Sequence, residues 1–151
     1  MPSHSTETAL GRFTIDAAGG AITGLRWGGP VETSEDPLLI EAAAQLGAYA
    51  DGRLRAFDLP LAPAGGPLQQ AVMAAMRRIP FGETLTYGEI AARVGAPAQA
   101  IGQCCGANPI PVIIPCHRVT GTGKLGGFSA PGGVETKVAL LRHEGAYSLL
   151  I

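Results

Sequence analysis

A cysteine stands directly before a histidine in the segment PVIIPCHRV, residues 111–119. The attacking form of cysteine is the thiolate, and a free thiol has a pKa of about 8.5, so a reactive cysteine needs a proton acceptor or a positive charge nearby. His117 is such an acceptor for Cys116, through a water or a fold of the backbone, and Pro115 stiffens the approach to the sulfur. A buried cysteine beside an incidental histidine is the alternative, and the pair alone leaves both interpretations open.

The charges of the chain are unevenly distributed. The first 58 residues hold four arginines against eight acidic residues, whereas the remaining residues hold seven basic residues against four acidic ones. A basic second half favours a nucleic-acid partner, although a solvated surface with accidental asymmetry gives the same count.

The three cysteines show neither the paired spacing of a zinc site nor that of a disulfide framework. The N-terminus MPSHSTETAL lacks the basic-then-apolar pattern of a signal peptide, and the longest apolar run is far shorter than the roughly 20 residues of a membrane span. We therefore expect a cytoplasmic protein that makes no membrane contact and keeps its thiols reduced.

The first elements that the sequence predicts are a hairpin and a helix. RFTID and AITGLRW alternate in polarity on either side of a glycine turn, which is typical of paired strands. Asp36 and Pro37 are suited to the N-cap and first position of a helix whose apolar residues recur at helical spacing up to Gly52. LRAFDLPL, residues 54–61, predicts one more strand.

Consecutive glycine and proline residues mark a linker at residues 62–66, because they oppose both helix and sheet. We therefore expect an N-terminal domain over residues 1–61 and a C-terminal domain over residues 67–151. The apolar spacing after Pro67 predicts a helix, and a last helix is predicted at about 135–143.

Two short helices around a glycine turn predict a helix-turn-helix. Thr86 and Glu89 have capping-box spacing at the start of YGEIAARV, and Gly95 separates this helix from AQAIGQCCG. The second helix is rich in alanine and glycine, which let a helix backbone approach a partner closely. Tight packing on another helix explains the same composition.

These motifs together resemble the O6-alkylguanine-DNA alkyltransferases, also called methylated-DNA-protein cysteine methyltransferases. The resemblance rests on NPIPVIIPCHRV, TYGEIAARVG, GGFSAPGG and RHEG, with FDLPL and IPFGET in the order of the family. It implies an α/β fold, in which a small ribonuclease-H-like N-terminal α/β domain precedes a helical, winged-helix-like C-terminal domain with a helix-turn-helix.

The resemblance also implies a reaction. Cys116 would take an alkyl group from O6 of guanine, or from O4 of thymine, in a single irreversible turnover that needs no metal or cofactor. His117 would act as its base through a water, and Glu144 would orient His117. Asn108 would brace the turn before the cysteine, and Tyr87 would hydrogen-bond the departing guanine.

By the same resemblance, a monomer would bind double-stranded DNA through the minor groove, or single-stranded DNA, and rotate the damaged nucleotide out of the stack. The residues expected to contact the DNA or the base are Gln99, Ala100, Gly102, Arg118, Val119, Phe128 and Ser129. Gln99 occupies the position at which the family usually has an arginine, and it lacks the charge and forked donors of arginine.

Two other functions remain open at this stage. One is a sensor that binds alkylated DNA without repairing it. The other is a Cys-His hydrolase or an alkyl acceptor that acts on a small molecule.

Overall fold

The computed structural model of the chain describes residues 2–122, 126 and 133–147. These residues fall into two units, which divide between Ala64 and Gly65, within the segment interpreted as a linker. Helices and small sheets occur together, and the predicted mixed α/β class is confirmed. Within the described ranges, no helix combines the length and the apolar character that crossing a bilayer requires.

The first unit contains an antiparallel sheet of three strands, β1 (Ser3–Thr8), β2 (Gly11–Ala18) and β3 (Ala21–Trp27). Gly19 and Gly20 join β2 to β3 with φ angles of 58° and 80°, as a two-residue hairpin turn requires. The predicted hairpin is therefore confirmed. The strand β1 was not predicted, because SHSTET has no apolar alternation, yet it pairs with β2 along its whole length.

Helix α1 (Pro37–Ala50) packs against β1 and β2. It begins where the sequence predicts, since Oδ1 of Asp36 accepts a hydrogen bond from the Leu38 N–H at 2.9 Å. Its apolar face is fully buried, as are the facing residues of β2; these side chains are Leu39, Leu46, Tyr49, Phe13 and Ile15.

The strand predicted over residues 54–61 is wrong. Only Leu61 pairs with the sheet, through a single bridge to Ile22. The side-chain amide of Gln45 already occupies the backbone of Asp58, accepting from its N–H at 2.9 Å and donating to its carbonyl at 3.0 Å. Pro60 lacks an N–H, so the segment cannot form a ladder.

The second unit is mainly helical. Its elements are α2 (Pro67–Arg77), β4 (Leu85–Thr86), α3 (Tyr87–Val94), α4 (Ala98–Gly106), β5 (Val119–Thr120) and α5 (Val134–His143). The predicted capping box of Thr86 and Glu89 is present, and Gly95 ends α3 with a φ of 71°. The helices α3 and α4 therefore form the predicted helix-turn-helix.

Two short elements bring the start of α3 to the cysteine segment. Strands β4 and β5 pair in parallel, with Leu85 opposite Val119. A 3₁₀ helix over Cys116–Arg118 leads directly into β5. As a result, Tyr87, which follows β4, is held beside the segment that contains Cys116.

Candidate active site

The backbone before Cys116 is held by the side chain of Asn108. Its Nδ2 donates to the Ile114 carbonyl at 2.8 Å, and its Oδ1 accepts from the Ile110 N–H at 3.0 Å. Between these contacts Val112 has a φ of 72°, a conformation that costs about 1–3 kcal/mol for a residue other than glycine. Asn108 therefore closes a strained loop immediately before the cysteine.

The thiol of Cys116 is buried at the start of the 3₁₀ helix, where the residue is 5% exposed. Burial raises the pKa of this thiol, while a hydrogen bond to Asn108 and the charge of Lys137 act in the opposite direction. The pKa of Cys116 remains above its ordinary value. The neutral thiol is therefore the resting form at pH 7, and a reaction at sulfur needs a proton acceptor.

The proton acceptor is part of a buried hydrogen-bond network that links the 3₁₀ helix to the end of α5. Nε2 of His117 lies 2.7 Å from Oε2 of Glu144, and both side chains are fully buried. Arg118 donates to the same carboxylate, from Nε to Oε1 at 2.8 Å and from Nη2 to Oε2 at 3.0 Å. Its Nη1 donates to the Ile79 carbonyl at 2.6 Å.

The charges of this network follow from its contacts. Burial by itself would raise the pKa of Glu144, but the hydrogen bonds from His117 and Arg118 lower it well below its ordinary value. Burial lowers the pKa of His117, although Glu144 opposes that effect. At neutral pH the network therefore contains an ionised glutamate, a charged arginine and a neutral imidazole.

The contact with Glu144 also decides which nitrogen of His117 is basic. A carboxylate accepts hydrogen bonds, so Nε2 carries the proton and Nδ1 is the free base. Nδ1 is buried and has no hydrogen-bond partner among residues 2–122, 126 and 133–147. His117 is therefore arranged to receive a proton at Nδ1 while Glu144 stabilises the resulting cation.

Tyr87 and Lys137 contact each other on a different side of Cys116. The Nζ atom of Lys137 lies 5.7 Å from the ring centroid of Tyr87 and donates to the Val119 carbonyl at 2.7 Å. Sequence analysis did not single out Lys137, since a lysine on an amphipathic helix is typical of a solvated face. The signal was its helical spacing from the buried Leu140 and Leu141.

Helix α4 presents an exposed face of small and uncharged residues. Gln99 and Gly102 are exposed and Ala100 is half-buried. A Cβ atom added to Gly102 or Gly106 would meet no described atom within 4 Å. Tight packing against another described helix therefore does not account for these glycines.

Arg118 differs from its expected place among the DNA-contacting residues. Its side chain is 8% exposed and its guanidinium donates to Glu144 and Ile79, so it neutralises a buried carboxylate instead of presenting charge to a ligand. Val119 is buried beside it, with its carbonyl bound to Lys137. Phe128 and Ser129 lie outside the described residues.

A metal site has no support in the described part of the chain, where no three His, Cys, Asp or Glu side chains cluster. The thiols of Cys104, Cys105 and Cys116 are all free. The chemistry available at this site is therefore that of a cysteine nucleophile with an adjacent imidazole base.

Comparisons with known proteins agree with this chemistry. The sequence model described as "6-O-methylguanine DNA methyltransferase, DNA binding domain" matches residues 67–146. A methylated-DNA–protein-cysteine methyltransferase of Methanosarcina acetivorans is 48% identical over 109 residues, which cover 70% of this chain and 69% of that protein. A protein of the same name from Mycolicibacterium paratuberculosis is 40% identical over 155 residues, covering 96% and 93% respectively.

Solved structures match both units. Mycobacterium tuberculosis OGT in complex with DNA has a TM-score of 0.85 and 39% identity, covering 97% of this chain and 94% of that one. The O6-methylguanine methyltransferase of the same organism gives a TM-score of 0.84 with 37% identity, covering 97% and 93%. The resemblance inferred from the motifs is thus confirmed, and the chain belongs to the methylated-DNA–protein-cysteine methyltransferase family.

Proposed function

We propose that this protein repairs DNA directly by transferring an alkyl group from O6 of guanine to the sulfur of Cys116, with O4 of thymine as a second substrate. The observation that carries the proposal is the buried His117–Glu144 pair, directly after the cysteine, in a chain of this family. The solved structure of a similar protein in complex with DNA supports DNA as the substrate.

The transfer is a displacement at carbon. The sulfur of Cys116 forms a bond to the alkyl carbon as the bond from that carbon to O6 breaks, and the electron pair of the broken bond passes to the guanine. The thiol proton goes to Nδ1 of His117 through a water, and Glu144 stabilises the imidazolium. Tyr87 hydrogen-bonds the guanine as it leaves and supplies the proton that neutralises it.

The product explains why each molecule acts once. A thioether has no leaving group that water readily displaces, so the alkyl group stays on Cys116. The protein is thus a stoichiometric reagent that needs no metal or cofactor. This chemistry requires only the side chains of the second unit.

The burial of Cys116 requires the damaged base to leave the DNA stack, because an intrahelical base cannot reach a sulfur that is 5% exposed. We infer that the exposed face of α4 enters the minor groove, where Gly102 lets the backbone approach closely and Gln99 faces the gap left by the base. The basic excess of the second half favours the DNA backbone.

The state of the working protein follows from the same features. We infer a monomer, because the residues assigned to the chemistry all come from one chain. Three free thiols favour the reducing cytoplasm as its compartment.

The proposal is tested by intact-mass analysis after mixing with O6-methylguanine in duplex DNA, in single-stranded DNA and as the free base. We expect one added methyl group, about 14 Da, located on the peptide that contains Cys116. Cys116→Ser should remove this adduct, and Cys105→Ala should retain it. A reactive thiol that gains no methyl group from any DNA refutes the proposal.

The same experiment separates the other functions. Equal binding of alkylated DNA by the wild type and Cys116→Ser, without transfer by either, would identify a lesion sensor. Transfer from the free base with no DNA binding, or repeated turnover of an ester, would identify a small-molecule enzyme.

A further inference from the structure

Lys137 is a buried lysine whose position the preceding chemistry does not explain. Its side chain is inaccessible to solvent, although it lies only one turn into α5. Transferring an ammonium group from water into a protein interior is costly unless hydrogen bonds and opposite charges compensate. The groups that face Lys137 should therefore show what the charge does.

Its contacts come from three other elements. The Nζ atom donates to the Val119 carbonyl of β5 at 2.7 Å and lies 5.7 Å from the ring centroid of Tyr87 on α3. The titratable groups that interact with it electrostatically are Cys116 and His117 of the 3₁₀ helix and Cys105 of α4. The ammonium is thus held at a fixed place beside the nucleophile by a carbonyl and an aromatic face.

We propose that Lys137 is a positioning residue for alkyl transfer: its ammonium, anchored by the Val119 carbonyl and the Tyr87 ring, stabilises the thiolate of Cys116. This role rests on the proposed function, because alkyl transfer is the step that needs the thiolate. His117 removes the proton, and Lys137 supplies the charge that makes its removal less costly.

The electrostatics of the two groups agree with this role. Burial raises the pKa of Cys116 and the charge of Lys137 lowers it, whereas burial lowers the pKa of Lys137 to about 8 and the thiolates of Cys105 and Cys116 raise it. Each charged form therefore favours the other. By linkage, a change that removes one charge must alter the proton affinity of the partner.

The first test compares the rate at which iodoacetamide alkylates Cys116 in the wild type, Lys137→Met and Lys137→Arg between pH 6 and 10, with peptide mass analysis locating the adduct. If Lys137→Met raises the pKa of Cys116 by about one unit, tenfold less thiolate is present at pH 7. Each thiolate is then about threefold more reactive, so the expected loss of rate is roughly threefold.

The pH dependence separates this role from a structural one. The wild-type advantage over Lys137→Met should decline as the pH rises through about 8, where Lys137 loses its proton. Lys137→Arg keeps a positive charge and should retain the advantage above that pH. A rate ratio between wild type and Lys137→Met that is constant with pH would overturn the proposal.

A second test needs no substitution at Lys137, in case Lys137→Met does not fold. The chain has two lysines, Lys124 and Lys137, so ¹³C-labelled lysine gives two NMR signals, which Lys124→Arg assigns. Alkylating Cys116 with iodoacetamide should lower the pKa of Lys137, because the thiolate is lost. An unchanged pKa of Lys137 would refute the coupling.

Both tests use a small reagent and not DNA. Failure of the proposed function appears as an absence of methyl transfer from alkylated DNA, whereas failure of this inference appears in the iodoacetamide profile and the lysine titration.

Discussion

Oε2 of Glu144 lies 2.7 Å from Nε2 of His117, although the two residues are 27 positions apart. The same carboxylate accepts two hydrogen bonds from Arg118. The residue that orients the base is thus fixed by a buried cation, and the base cannot be perturbed without disturbing an ion pair. The following predictions concern this arrangement and the DNA-facing residues around it.

Glu144→Gln should weaken both folding and transfer. It leaves the buried guanidinium of Arg118 without an anionic partner, which costs about 3–5 kcal/mol in the free energy of unfolding. It also removes the charge that stabilises protonated His117, so the methyl-transfer rate should fall. The matched control is Glu135→Gln, an exposed change on α5 that should cost less than about 1 kcal/mol. Chemical denaturation and single-turnover kinetics measure both effects, and equal losses in the two variants would contradict the prediction.

The free energy of unfolding should fall as the solution is acidified. The pKa of His117 is lowered by burial, so below about pH 6.5 the unfolded chain takes up a proton that the folded chain does not. The pKa of Glu144 is lowered as well, and below about pH 4.3 a second proton binds preferentially to the unfolded chain. Each contributes at most about 1.4 kcal/mol per pH unit.

Urea unfolding between pH 7 and pH 3 measures this dependence. The gap in stability between the wild type and Glu144→Gln should narrow below about pH 4.3, since the variant has no carboxylate to protonate. A gap that stays constant down to pH 3 would show that the carboxylate of Glu144 is not the group responsible.

Gln99→Arg should accelerate methyl transfer from duplex DNA more than from single-stranded DNA. A guanidinium offers a charge and forked donors to the gap left by the extruded base, which an amide does not. Gln103→Arg is the matched control, because it adds the same charge to an exposed position one turn further along α4. Single-turnover rates on both substrates decide the outcome, and equal acceleration by the two variants would indicate general attraction to DNA alone.

Gly126→Ala should reduce methyl transfer by displacing Tyr87. A Cβ atom at this position would lie 2.6 Å from the hydroxyl of Tyr87, and the φ of 75° adds backbone strain. The rate of iodoacetamide alkylation at Cys116 should change less, because Tyr87 acts on the guanine. Gly47→Ala, which meets no described atom within 4 Å, is the control and should leave both rates unchanged. Normal methyl transfer by Gly126→Ala would exclude a role for the Tyr87 hydroxyl.

Local signals in the sequence determined much of the secondary structure. The caps at Asp36 and Thr86 depend on side chains two or three residues from the backbone groups they bind, so their spacing is readable in the sequence. The glycine pair between β2 and β3 is equally local. The motif PCHRV placed the nucleophile beside its base for the same reason.

Tertiary structure decided what long-range contacts control. The polar strand β1 forms because β2 offers it a partner, and residues 54–61 do not form a strand because Gln45 binds the backbone of Asp58. Arg118 is drawn inward by Glu144, and Lys137 is buried beside Cys116 by packing of α5. A charged residue reads as exposed in a sequence, because the partner that makes its burial affordable in free energy lies on a different element of the fold.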